Sequence, residues 1–298
     1  MKSVVLFGMA CMLVVIIAAA GEPHSIIQPS AAASNEGVDS ASHPSGDKDA
    51  GAPNNMDNVG EIHQACPASM QTVKGMYCPS VSEPCIRFRG PPGSKPVVCE
   101  KFGEPKCLSK NRVYMEFCVD TYEYPDQKGV LPQVKMSWYD ADNACKSVGK
   151  RLCSEEEITF ACEGEDTKPY PYGNGKDRIS DACNQDRPAI TPFIWGWNKD
   201  HTQRIQIGER PLEEVDQRVP SGSKPECVSP FGVYDIVSNA DEWIYDRNGR
   251  KDHQPFFSAL HGGHWVKGAR NRCRATTTVH GPTFSFYVTG TRCCTDIK

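Results

Sequence analysis

The chain has 298 residues, a formal net charge of -4 and 15 cysteines. So weak an acidic balance gives no electrostatic footprint for nucleic acid or an anionic membrane surface, which excludes both as expected partners. The cysteine count carries most of the remaining information about class.

Residues 2 to 20 open with Lys2, run apolar from Val4 to Ile17 and close on Ala18-Ala19-Ala20 before Gly21. Basic, apolar and small residues in that order form a cleaved secretory signal, so residues 1–20 are predicted to be removed and the rest exported. An uncleaved membrane anchor and a lipidated Cys11 compete with this reading. The apolar run, however, is near the lower limit of about 17 residues for a spanning helix, and it continues past Cys11. Removal of the signal leaves 14 cysteines between Cys66 and Cys294. An even number in an exported chain predicts disulfides, and the lack of any CxxC pair disfavours structural zinc.

From Gly21 to about residue 59 the chain is Ala, Ser, Gly, Pro, Asn and Asp with almost no large apolar residue after Ile27, the composition of a disordered linker. Residues 60–118 hold six cysteines and a Gly-Pro-Pro-Gly turn signal at 90–93. A stretch this poor in apolar runs needs covalent staples, with pairing that spacing leaves open. It reads as an elaborated N-terminal edge of one domain spanning 119–298. Two helices follow. Ser137 with Asp140 starts the first, Trp138, Ala141, Cys145 and Val148 fall at helical spacing, and Gly149 stops it. Ser154 through Glu157 form a capping box for the second, with Ile158, Ala161 and Cys162 on its inner face before Gly164. The remainder, punctuated by Pro and Gly, reads as short strands and long loops.

The stretch Phe231-Gly232-Val233-Tyr234-Asp235-Ile236-Val237-Ser238-Asn239-Ala240-Asp241-Glu242-Trp243, then His261-Gly262-Gly263-His264-Trp265, then Arg272-Cys273 and Gly290-Thr291-Arg292-Cys293, resembles the signature of the formylglycine-generating-enzyme (sulfatase-modifying factor) family. Further similar motifs keep the same order: Val119 to Glu123, Met136 to Ala141, Gly149 to Leu152, Tyr170 to Asn174 and Val219 to Ser223. The resemblance implies an α+β, C-type-lectin-like fold, loop-rich and disulfide-stapled, in a divergent, exported, bacterial-type member of the family.

Carried over residue by residue, the resemblance pairs Cys145 with Cys293 and Cys162 with Cys273. Each bridge closes a loop of more than 100 residues, worth roughly 4 to 5 kcal/mol by chain entropy. Cys294 is left for Cys153, Cys183 or Cys227. The family oxidises a substrate cysteine with Cu(I) held by two thiolates, soft ligands suited to that ion. One of these lies three residues beyond the serine of RGGS. Here that serine is His264, the third residue on is Lys267, and no cysteine lies between His264 and Cys273. No copper is therefore expected. The groove departs elsewhere too, with His261 for an arginine and Asp241 for an aromatic, and a carboxylate offers no ring face to a peptide.

A calcium site is better preserved, as an all-oxygen set suited to a hard cation. It falls on Asp235, Ser238, Ala240 and Glu242, Ser238 replacing glycine as a carbonyl donor. The competing arrangement has Asp235 capping a turn and Glu242 paired with an arginine. Of the family's first calcium site only Asn184 is matched. Other signals have bland readings: the Gly-Gly between His261 and His264 marks a turn rather than a metal pair, and Trp195-Gly196-Trp197 and Phe256-Phe257 are expected in the core. The sequence thus predicts a non-catalytic binding or structural module for an unknown protein, peptide or glycan. The alternative is a thiol oxidoreductase, formylglycine-generating or other, acting on an exported partner.

Overall fold

The main sheet is built from both ends of the chain. The computed structural model describes residues 66–297, apart from 92, 94–96 and 247–256. The predicted signal peptide, the linker and Phe256 lie outside them. In chain order come β1 (Met70–Tyr77), β2 (Val81–Ser82), β3 (Cys85–Phe88), β4 (Cys99–Phe102), β5 (Lys106–Cys107), β6 (Val113–Asp120), α1 (Trp138–Ser147), β7 (Arg151–Leu152) and α2 (Glu155–Glu163). After these come β8 (Phe193–Trp197), β9 (Arg204–Glu209), α3 (Leu212–Val215), β10 (Asp241–Tyr245), β11 (Ser258–His261), β12 (Thr276–Thr277), β13 (Thr289–Thr291) and β14 (Cys293–Asp296). Among the described residues there are two four-stranded sheets, β1-β6-β14-β7 and β12-β11-β10-β13, the latter with β13 parallel to β10, and three two-stranded ribbons, β2-β5, β3-β4 and β8-β9.

Alternation along β1 and β6 sends Val73, Tyr77, Phe117 and Val119 to one face, where they pack with Ile158, Phe160 and Ala161 of α2. Each such large side chain contributes about 2 kcal/mol on burial. Trp138, Ala141 and Cys145 of α1 fall on one stripe and join Trp243 and Leu260 of the second sheet. Both helix starts carry reciprocal caps. Ser137 Oγ accepts from Asp140 N at 3.2 Å while Asp140 accepts from Ser137 N at 2.9 Å. Ser154 N donates to Glu157 at 2.8 Å and its hydroxyl accepts from Glu157 N at 3.3 Å. Each cap is worth about 1 kcal/mol.

Seven disulfides consume all fourteen cysteines from Cys66 to Cys294. Cys145–Cys293 and Cys153–Cys294 tie α1 and the residue before α2's cap to consecutive positions of β14, and Cys162–Cys273 ties α2 to the second half of the chain. Cys183–Cys227 pins the loops between. The N-terminal six pair as 66–118, 78–107 and 85–99.

Two sequence expectations need correction. The boundary at 118/119 cuts through β6, whose full length pairs with β1, so the segment from Cys66 supplies a strand of the main sheet and is an edge of the same compact unit, as the reading of one domain implies. Trp195 and Trp197 are not core: they sit on the β8–β9 hairpin at 47% and 55% exposure. A two-stranded ribbon has no second layer to cover its faces.

Candidate functional site

Asp241 and Glu242 are consecutive on β10, and strand alternation sends them to opposite sides. Glu242 enters a wholly buried charged centre. Arg292 Nε donates to both its oxygens at 2.9 and 2.8 Å, and Arg292 Nη2 adds bonds to Glu242 at 2.7 Å and to the Tyr234 carbonyl at 2.9 Å. Glu123 lies alongside, accepting from Ala240 N at 2.9 Å and from Asn239 Nδ2 at 2.7 Å. Asp235 completes the group, its Oδ2 taking the Gly222 N–H at 2.7 Å while its buried Oδ1 has no partner.

Three carboxylates and one guanidinium in an apolar surround cannot all remain charged at low cost. Burial, reinforced by Asp235 and Glu242, pushes Glu123 well above the usual carboxylate range. Burial raises Asp235 to about 6 against the opposing Gly222 hydrogen bond and Arg292. It also raises Glu242, again opposed by Arg292. The backbone here is unusual: Asp235, Ser238 and Asn239 have φ of 54°, 70° and 50°. Ser238 thus keeps, as a non-glycine residue, a left-handed conformation natural to the glycine it replaces in the family pattern.

The four predicted calcium residues are all buried and lie in this one segment. Glu242 is shared with Arg292, as in the competing arrangement, and Asp235 does receive a turn N–H from Gly222. The orphaned Asp235 Oδ1 and the excess of carboxylates nonetheless fit a cation, since Glu242 Oε2, which accepts only from Arg292 Nε, keeps a further lone pair. Among the described residues no three His, Cys, Asp or Glu side chains are grouped to hold a metal. A cation here would therefore rest on two carboxylates and backbone carbonyls. Asn184, the match to the first calcium site, is occupied instead by Gln217, Asn239 and Arg187.

On the other side of β10, Arg270 forms a two-pronged bond with Asp241, one arm at 2.9 Å, with Arg270 33% and Asp241 2% exposed. His264 stands beside the pair, half-buried, its Nδ1 accepting from Val266 N at 3.3 Å; burial lowers its pKa. His280 stacks on Phe284 at 3.8 Å nearby. Of the four residues predicted to line a groove, Asp241 and His264 meet here and Lys267 is exposed. His261 does not line it. Paired opposite Glu242 on β11, it is fully buried, bonds the Cys273 carbonyl at 2.6 Å, and is held neutral by burial with its pKa lowered to about 4. The turn between the two histidines demands glycine: Gly262 has φ of 84°, and a Cβ there would meet the Ile236 carbonyl at 2.7 Å.

Arg292 and Glu123 stand in the sequence only as parts of motifs; in the fold both enter this centre, and Arg292 also donates to the Asp120 carbonyl at 3.3 Å, joining β6 to the residue before β14. Arg270 had no sequence signal at all.

Two sheets, capped helices pinned to β14, and loops stapled by disulfides define an α+β protein of C-type-lectin-like fold. The sulfatase-modifying factor enzyme 1-like domain matches residues 110–297, and the chain belongs to that family. It is 28% identical over 156 residues to "Inactive C-alpha-formylglycine-generating enzyme 2" of Bos taurus, an alignment covering 51% of this chain and 45% of that protein. It is 31% identical over 116 residues to the "Formylglycine-generating enzyme" of the same organism, covering 39% and 27%. The chain thus spans less than half the length of these relatives. Among solved structures, CarF superposes with a TM-score of 0.49 at 14% identity, covering 78% of this chain and 99% of its own. PvdO from Pseudomonas aeruginosa superposes at 0.42 and 16%, covering 73% and 92%.

Proposed function

We propose that this is an exported family member that has given up copper oxidation and serves as a binding or structural module for a protein, peptide or glycan. The observation that carries the reading is the fate of sulfur: every cysteine from Cys66 to Cys294 is in a disulfide. No thiolate pair remains among the described residues for a cuprous ion, and His264 and Lys267 stand where the family pattern needs other groups. The Asp241–Arg270 pair occupies the neighbouring groove position. A related protein bears the name of an inactive enzyme, which supports the same direction. Seven disulfides favour an oxidising compartment, and among the described residues no helix is long and apolar enough to cross a membrane.

The test is an oxidase assay of the refolded chain with Cu(I), oxygen and a sulfatase-motif peptide, read by mass spectrometry. No conversion above a copper-free control is expected, and copper-dependent turnover overturns the reading. The alternative thiol enzyme is separated by titrating native thiols in the mature chain. None is expected, and one or more reactive thiols per chain revives that alternative.

Calcium is the cofactor the buried centre supports best, held by Asp235, Glu242 and the carbonyls of Ser238 and Ala240. Its role is structural, neutralising carboxylates that one arginine leaves in excess.

A further inference from the structure

The family domain matches residues 110–297, and the ribbon of β3 and β4 lies before it. Between this ribbon and the loop that precedes Cys273 opens a cavity of about 370 Å³. The N-terminal segment contributes Glu83, Phe88, Val97 and Phe102 to its lining, and the loop contributes Ala269 and Arg272. The Cys85–Cys99 disulfide, which ties β3 to β4, is part of the same wall. The volume is that of a small ligand pocket. Phe88 and Val97 are 55% and 58% exposed and Phe102 is buried, so the apolar surface runs from the mouth inward.

Glu83 and Arg272 are the charged residues of this lining, and they are paired in an incomplete way. Arg151, Arg178, Arg270 and Arg274 each spend two nitrogens on a single carboxylate. Arg272 spends one: its Nη1 donates to Glu83 Oε2 at 2.5 Å, and among the described residues its Nε and Nη2 have no acceptor. Glu83 is 8% exposed, and its buried Oε1 has no partner either. The guanidinium is steadied by the Phe102 ring, whose centroid lies 5.9 Å from Arg272 Cζ. With the Arg272 side chain 31% exposed, one edge of the planar group, Nε with Nη2, is left for a ligand.

A carboxylate takes two parallel N–H bonds from such an edge while bringing a single negative charge. A phosphate dianion would bring more charge against Glu83, with no second cation in the lining to offset it. The apolar remainder of the cavity matches an apolar body. We propose that this cavity binds a carboxylate carrying an aromatic or branched aliphatic group, its anion on the unused N–H groups of Arg272 and its apolar group against Phe88, Val97 and Phe102. A free carboxylic acid and the C terminus of a peptide share that chemistry. Glu83, Phe88, Val97 and Phe102 all precede the matched domain, so the site is completed by this chain's N-terminal segment. It does not depend on whether the oxidase reading stands.

The test uses the full disulfide-bonded chain and calorimetric titration with N-acetyl-L-phenylalanine. Saturable binding with a Kd below about 1 mM is expected. N-acetylphenylalaninamide, which lacks the anion, and N-acetylglycine, which lacks the ring, should each bind at least about tenfold more weakly, a difference of about 1.4 kcal/mol. A short peptide ending in phenylalanine separates the two sources. Binding of both probes assigns the site to a peptide C terminus and binding of the free acid alone to a small molecule, and either upholds the proposal. These arms use the wild-type protein and survive any failure of a variant to fold. Phe88→Ala, at an exposed position, should weaken the probe about fivefold through lost apolar contact. Arg272→Gln should weaken it at least about tenfold. Glu83→Gln should leave the affinity unchanged or raise it, because the glutamate competes for the same guanidinium, whereas a purely structural ion pair would lose equally by either change. No binding at about 10 mM probe, equal binding of acid and amide, unchanged affinity in Phe88→Ala, or a Glu83→Gln loss as large as that of Arg272→Gln would each overturn the proposal.

Discussion

Asp241 and Glu242 are neighbours on β10, yet one carboxylate is clamped beside His264 by an arginine that water still reaches, and the other lies in a sealed centre with Arg292. Geometry within each pair is similar; what differs is the dielectric around it. Arg270 is one-third exposed though Asp241 is buried, so removing the arginine opens a path for water to the carboxylate and offsets part of the loss. In the sealed centre no such rescue exists. The same fold element therefore carries one exchangeable pair and one on which the join between the opening strand and the chain's close depends.

The strongest way to break this contrast is Arg292→Met. It strands Glu242 beside two further acids and should cost about 4 kcal/mol in chemical unfolding under non-reducing conditions. Double replacement with Glu242→Met should recover much of the loss, since an apolar pair of similar volume carries no desolvation penalty. A single-variant loss below about 1 kcal/mol would mean the centre is not sealed.

Next in size is the response to calcium and pH. Burial holds Asp235 up at about 6 from its usual 3.8, so the folded chain keeps a proton that the unfolded chain releases. Its contribution is full below about pH 4 and is lost as pH rises through about 6, on the order of 3 kcal/mol from this group. Glu123, raised in the same direction, extends the decline upward. Calcium favours the ionised carboxylates and should flatten this loss. Near pH 7.5, calcium at about 100 times its Kd should raise stability over EGTA by about 2.7 kcal/mol. Superimposable unfolding curves with calcium and EGTA would remove the ion from the centre.

How much of this was legible depended on where the information lay. Ser137, Ser154, Gly149 and the cysteines on helical stripes act locally or by family pattern, and the structure places both caps and the bridges Cys145–Cys293 and Cys162–Cys273 where the chain reads them. The partner of Cys294 is set by the fold, which brings Cys153 to it, since spacing cannot choose among 153, 183 and 227. Burial of Glu123 against Arg292 across 169 residues, or the reach of Arg270 to Asp241, is a property of packing that no periodicity encodes. Trp195 and Trp197 failed for a related reason: aromatic content suggests a core, but only the fold shows that β8 pairs with β9 alone and leaves both tryptophans exposed.

A smaller effect is expected at the groove. Arg270→Met removes the solvent-reached partner of the buried Asp241 and should cost about 2 kcal/mol by thermal unfolding, about half the cost of Arg292→Met. Loss equal to that of Arg292→Met would show the groove to be as sealed as the core, and the contrast between the two sides of β10 would disappear.

The smallest change probes the loop that carries the centre. Ser238 has φ of 70°, a conformation costing a non-glycine residue about 1 to 2 kcal/mol. Glycine removes that strain but takes back about 0.5 to 1 kcal/mol through the freer unfolded chain. Ser238→Gly should therefore stabilise by about 0.5 kcal/mol. Because the proposed calcium contact of residue 238 is its carbonyl, the calcium-dependent gain in stability should be unchanged. A net loss on substitution would instead assign weight to the Ser238 hydroxyl, which donates to the Val237 carbonyl, and would make this serine a structural gain rather than a tolerated departure.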